Sequence, residues 1–258
     1  MANPCLPPEI LDYVVDLLHD EPETLKRCCL VSKSWVPRTR MYLFADVRIR
    51  SATDLESWKS IFPDVTHSPA HQTHTLFVGC PWLITESDAE EGGWIQAFSG
   101  VKSLDVDNGG DYFYASAASL TPFYKLSPTL KSFRVAPIIL PSPGLLDLIL
   151  SFPHLEDLTL VGYDESGPND DDPHWPQTII PPTSPAFTGS LKLHVVEGVG
   201  NTVHQLLDLP NGLHFRKLVL LRFCAEDLRW MTELVSKCSH TLESLDITSA
   251  LHRMSIYI

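Results

Sequence analysis

Two hydrophobic rhythms divide this chain. From Leu6 to Phe44 apolar residues recur at the three-to-four spacing of amphipathic helices; beyond it they alternate within short hexads. The stretch LPPEILDYVVDLLH (6–19) puts Ile10, Val14, Leu17 and Leu18 on one helical face, widened by Leu11 and Val15, with Asp12 and Asp16 opposite. Pro8 suits the first turn, where its missing N–H costs nothing, and Glu9 complements the positive end of the helix dipole. Asp20-Glu21-Pro22 reads as a linker into a second helix, which turns Leu25, Cys28 and Cys29 inward and Lys26 and Arg27 outward. Pro37 opens a third helix running to Phe44. The apolar stripes are wider than three short helices need for a mutual core. They predict a unit that completes its burial against another surface.

The second rhythm is a repeat. The hexads VKSLDV (101–106), LKSFRV (130–135), LEDLTL (155–160), FRKLVL (215–220) and LESLDI (242–247) share the pattern L-x-x-L-x-L. THTLFV (73–78) and SLKLHV (190–195) are weaker versions. Their central residues Leu76, Leu104, Phe133, Leu158, Leu193, Leu218 and Leu245 stand 28, 29, 25, 35, 25 and 27 apart by subtraction. All but the fourth interval suit a leucine-rich repeat of one strand and one helix. Helical stretches are predicted between hexads, at 144–151, 202–209 and 225–237. The expected class is α/β: a three-helix domain over 1–48, then an irregular solenoid of parallel strands and helices over 49–258. The long interval holds an acidic segment, 162–185, whose six prolines forbid regular helix or interior strand and predict an exposed insertion.

If the central leucines face a core, their neighbours face the open side of the sheet. These are Ser103 and Asp105, Ser132 and Arg134, Asp157 and Thr159, Lys192 and His194, Lys217 and Val219, and Ser244 and Asp246. Such a polar, mixed-charge row suits a protein or peptide partner, with the long cations Arg134 and Lys217 as anchors.

The run LPPEILDYVVDLLHDEPETLKRCCLVSKSWVPRTRMYLF resembles the F-box motif along its whole length. Leu6-Pro7 and Glu9-Ile10 look like its opening, Val14 and Leu18 its first-helix positions, and Leu25, Cys29 and Leu30 its second helix. Val31-Ser32 followed by Trp35 looks like its V-S-x-x-W signature, and Leu43-Phe44 its closing pair. The repeats are similar to those of the leucine-rich-repeat class of F-box proteins, in degenerate form. The asparagine or cysteine usual after each hexad is replaced by Gly109, Tyr163 and Phe223 at that offset, which implies an irregular arc. The resemblance implies docking on a Skp-type adaptor of a cullin–RING ubiquitin ligase. The docking residues it implies are Leu6, Pro7, Ile10, Leu11, Val14, Leu18, Leu25, Leu30, Val31 and Trp35. Of these, Leu6, Ile10, Leu11, Val14, Leu18 and Trp35 are expected to be more exposed than core residues. The chain would be a non-catalytic substrate receptor whose repeats bind an unidentified target protein. The alternative is a repeat scaffold whose helices merely cap its first edge; a hydrolase assembled from scattered Ser, His and Asp is a third reading.

Composition narrows the partners. A net charge of −13 and a sequence pI near 5.2 repel nucleic-acid phosphates and anionic lipid heads. No apolar run approaches the ~20 residues of a membrane helix, and the N-terminus lacks a basic-then-apolar leader. Cys5, Cys28, Cys29, Cys80, Cys224 and Cys238 contain no C-x-x-C and read as reduced thiols of an intracellular protein, cytoplasmic or nuclear. His67, His71 and His74 have metal-like spacing, but Pro69 interrupts them and no further ligand stands beside them. Asp105, Asp107, Gly110 and Asp111 imitate a calcium loop with Ser116 in the slot of its bidentate Glu. G-x-S-x-G, G-x-G-x-x-G and phosphate-cradling glycine motifs are missing, so no cofactor is expected. Leu251–Ile258 follow the last hexad without a polar capping repeat, and a truncated or unusual end is the expectation.

Overall fold

The computed structural model describes residues 7–79, 84, 93–107, 113–114, 121–126, 128–140, 143–164, 187–195, 200–207, 209, 212–223, 228–249 and 253–256. Helices α1 (Pro8–Leu17), α2 (Pro22–Val31) and α3 (Val36–Leu43) each carry a proline in the first turn, where no intrahelical N–H is needed. At the end of α2 the backbone of Ser32 turns extended (φ −152°, ψ 141°). The Trp35 N–H then reaches the Ser32 carbonyl at 3.1 Å, closing the turn into α3.

The rest of the chain is α/β. Its strands are β1 (Asp46–Ile49), β2 (Thr75–Val78), β3 (Ser103–Asp107), β4 (Phe113–Tyr114), β5 (Ser132–Leu140), β6 (Asp157–Asp164), β7 (Phe187–Val195), β8 (Leu213–Phe223), β9 (Ser244–Ser249) and β10 (Arg253–Ile256). They form one sheet in the order β1-β2-β3-β5-β6-β7-β8-β9-β10, with β4 paired to β5. Every pairing is parallel except the last, β9 with β10. Helices α4 (Ala52–Ile61), α5 (Pro143–Leu150), α6 (Gly200–Leu207) and α7 (Leu228–Cys238) lie in the connections that return the chain to the start of the next strand.

Period-two alternation sends one face of every strand inward. Val47, Leu76, Leu104, Phe133, Leu158, Leu191, Leu218 and Leu245 form one buried row. Ile49, Val78, Val106, Val135, Leu160, Leu193 and Leu220 form a second. They pack with Leu55 of α4, Leu148 of α5, Val203 and Leu206 of α6, and Met231 and Leu234 of α7. The central residues of the five strong hexads are thus core, as their pattern predicts, at 0–8% exposure.

The structure corrects one sequence-based register and one boundary. Leu158 pairs with Leu191, not Leu193, so the β7 hexad opens at Thr188 and the two intervals become 33 and 27. Both leucines point inward, so hydrophobic pattern alone cannot separate two registers that differ by two residues. The pairing Asp157↔Ser190 decides it. Strand β1 is also a member of the array: Val47 and Ile49 fill the hexad slots that leucine fills elsewhere. The sheet therefore begins at Asp46, inside the segment assigned to the helical domain. Strand β6 runs through Asp164, taking the first residues of the acidic segment, and residues 165–186 lie outside those described.

Candidate functional site

Two surfaces stand out, one on the helical unit and one on the sheet. Helix α1 carries two apolar stripes. Leu11, Val15 and Leu18 turn toward the protein, with Val15 fully buried and the other two half-buried. Ile10, Tyr13, Val14 and Leu17 recur at i, i+3, i+4 and i+7 and remain in solvent, Leu17 at 65% and Tyr13 at 61% exposure. On α2, Leu30 is 87% and Val31 70% exposed. Of the eight strongly exposed large hydrophobics among the described residues, six belong to these two helices. A clustered excess of that kind marks a contact surface, whereas scattered single ones do not.

Of the proposed docking residues, Pro7, Ile10, Val14, Leu30 and Val31 are exposed, and Leu11, Leu18 and Trp35 are half-buried. Leu25 is corrected: at 1% exposure it packs within the helical unit, because it occupies the inward face of α2 with Cys28. Leu6 lies outside the described residues. Tyr13 and Leu17 join the surface; on the helical wheel Leu17 lies between Tyr13 and Ile10, a signal present in the spacing.

The unit is held by polar clamps. Arg38 of α3 grips Asp16 of α1 bidentately, Nε to Oδ1 at 2.6 Å and Nη2 to Oδ2 at 2.7 Å, and the Tyr42 hydroxyl donates to Oδ1 at 2.9 Å. Buried Thr39 donates its hydroxyl to the Trp35 carbonyl at 2.8 Å and meets the Cys29 thiol at 2.9 Å, tying α3 to α2. The Arg38 hydrogen bonds hold the Asp16 carboxyl below its ordinary value, against an opposing push from desolvation. A depressed carboxylate pKa stabilises the fold above the unfolded value and loses that contribution as pH falls through the folded one. Amide-exchange protection of α1 is therefore expected to be constant at neutral pH and to drop below about pH 4, the ordinary Asp range. Asp16→Asn should remove that pH dependence and lower α1 protection at neutral pH, with parent and variant converging in acid once Asp16 is protonated; an acid profile identical to the parent's would show that the clamp does not hold α1.

The outward face of the sheet presents ladders of polar side chains. One rung row reads Asp46, Thr75, Ser103, Ser132, Asp157, Ser190, Lys217 and Ser244. The next reads Arg48, Phe77, Asp105, Arg134, Thr159, Lys192, Val219 and Asp246. Ser103, Asp105, Ser132, Arg134, Asp157, Thr159, Lys192, Lys217, Ser244 and Asp246 thus share the predicted face. His194 sits one rung beyond, in register with Val161 and Leu221, because the β7 register moved by two. Ser190 takes the place the sequence assigned to Lys192.

Charge divides this face. On its N-terminal side the two cations of these rows are spoken for: Arg48 pairs with Asp46 at 3.0 Å, and Arg134 bonds Asp105 at 2.5 Å and Asp107 at 3.2 Å. Arg134 is therefore corrected as an anchor, since its guanidinium already neutralises carboxylates of the adjacent strand. On β7 and β8, Lys192, Lys217 and Arg222 form no ion pair among the described residues. Burial and the charges of Arg222 and Lys192 push the His194 imidazole below its usual pKa, which marks a locally positive field.

Other constellations close on themselves. Asp64 receives the Thr66 hydroxyl at 2.6 Å and lies 2.6 Å from His67 Nδ1, and these contacts, Thr66 first, bring its carboxyl to about 2. The sequence reading missed this carboxylate beside the histidines. Among the described residues no three His, Cys, Asp or Glu side chains gather as a metal site. Among those residues, no helix is long and apolar enough to cross a membrane. No family model, curated protein or solved structure matches the chain.

Proposed function

We propose that the helical unit is an F-box that docks on a Skp-type adaptor, and that the strand–helix array is a degenerate leucine-rich-repeat solenoid presenting a target protein to a cullin–RING ubiquitin ligase. The chain is then a non-catalytic receptor, and its contribution to ubiquitin transfer is proximity. The observation that carries the reading is the solvent-facing apolar stripe of α1, with Leu30 and Val31 on α2, in a unit already pinned by its own polar clamps. Each large side chain buried there on docking is worth ~1.5–3 kcal/mol, so a handful suffice for stable association. The strand order, which follows the chain, and hexads stacked in one register support the solenoid.

Leu17→Asp with Leu30→Asp alters only exposed positions and should leave the circular-dichroism spectrum unchanged. It should abolish capture of Skp-type adaptor and cullin from cell extract. Capture equal to the parent's would overturn the docking surface and leave a repeat scaffold without a ligase role.

A further inference from the structure

We propose that the outward face of β7 and β8 receives an acidic segment of the target protein, lying along the strand direction with successive carboxylates against Lys217, Lys192 and Arg222. This rests on the reading of that face as target-binding and names the chemistry it selects. Lys217 on β8 and Lys192 one rung on along β7 share the face by register, and Arg222, unpaired at the bulge near the end of β8, lies close enough to His194 of that face for its charge to act on the imidazole. Lys217 and Arg222 are five residues apart, about 16 Å at strand rise. A single phosphate spans only one or two of these cations. An extended chain places alternate side chains ~7 Å apart on one side and meets all of them.

The nearby carboxylates do not neutralise these cations. Asp157 accepts the Ser190 hydroxyl, Glu243 lies 3.9 Å from Arg216, and Asp246, the diagonal neighbour of Lys217, makes no ion pair with it among the described residues. The backbone adds a second observation. Arg222 takes φ +62° at a register shift between Leu221 and Phe223, a conformation costly for a residue with a Cβ. Such bulges re-aim a side chain out of the ladder. The protein's net charge of −13 opposes an acidic ligand at long range. At 0.1 M salt that field is screened beyond ~10 Å, and the local cations dominate contact.

The test uses the full chain and a fluorescein-labelled peptide of alternating Glu and Ser, read by anisotropy. The peptide should bind, weaken with added salt, and lose at least ~10-fold in affinity to the combined variant Lys192→Gln, Lys217→Gln and Arg222→Gly. Glycine suits the φ of Arg222, so that variant keeps the fold; Lys102→Gln, exposed and remote, should bind like the parent. Equal binding by the combined variant, or none by the parent at low salt, overturns the proposal. So does tighter binding of a Ser-rich peptide bearing one phosphoserine and no Glu, which would make this a phosphate site. Adaptor capture is measured on the same samples: its loss with peptide binding intact counts against the ligase reading alone.

Discussion

Phe133→Ala is expected to lower unfolding stability by ~3–5 kcal/mol, the range for a buried ring removed from a packed core. Phe133 is fully buried on β5, between Leu104 and Leu158 in its row, and its ring meets Phe152 edge-on at 5.5 Å between centroids. The neighbouring strands hold their own register, so the backbone has little freedom to collapse into the void. Ser132→Ala, one residue away and on the outward face, should change stability by less than ~0.5 kcal/mol. Leu158→Ala, buried to 1%, should cost ~2–5 kcal/mol. Urea midpoints measure all three. Equal midpoints for Phe133→Ala and Ser132→Ala would mean that the strand faces are assigned the wrong way round.

Gly189→Ala should cost ~2–4 kcal/mol, combining a strained backbone angle with overpacking. Gly189 has φ +90°, and a Cβ there would lie 1.9 Å from the Glu156 carbonyl oxygen. That oxygen accepts the Ser190 N–H at 2.7 Å, so the clash falls where β7 joins β6. Gly212→Ala separates the two causes. It also has positive φ, +68°, but its nearest contact is His214 Nε2 at 3.9 Å. It should show the angle cost alone, ~1–2 kcal/mol. If the two variants melt together, the close approach at Glu156 is not real.

Much of the array was legible because parallel strands packed on one side write their core as alternation, and alternation survives in a single chain. The five strong hexads, the helices between them and the three proline-started helices at the front all follow from residue spacing. So does the surplus of apolar surface on α1, since a stripe too wide for a small core is a property of the sequence itself. What spacing cannot encode is which of two equivalent registers a strand adopts. Leu191 and Leu193 are interchangeable in pattern, and only the bonds between Glu156, Asp157 and Ser190 choose. Charge pairing is likewise decided across strands: Asp105 and Arg134 are 29 positions apart in the chain and neighbours on the sheet. That contact takes one of the two anchors favoured by side-chain type, Arg134, while Lys192, Lys217 and Arg222 form no ion pair among the described residues. Which residues face the core follows from local periodicity along the chain. Which surface charges remain available to a partner was decided only by tertiary structure, because ion pairing depends on through-space proximity between strands that sequence order keeps apart.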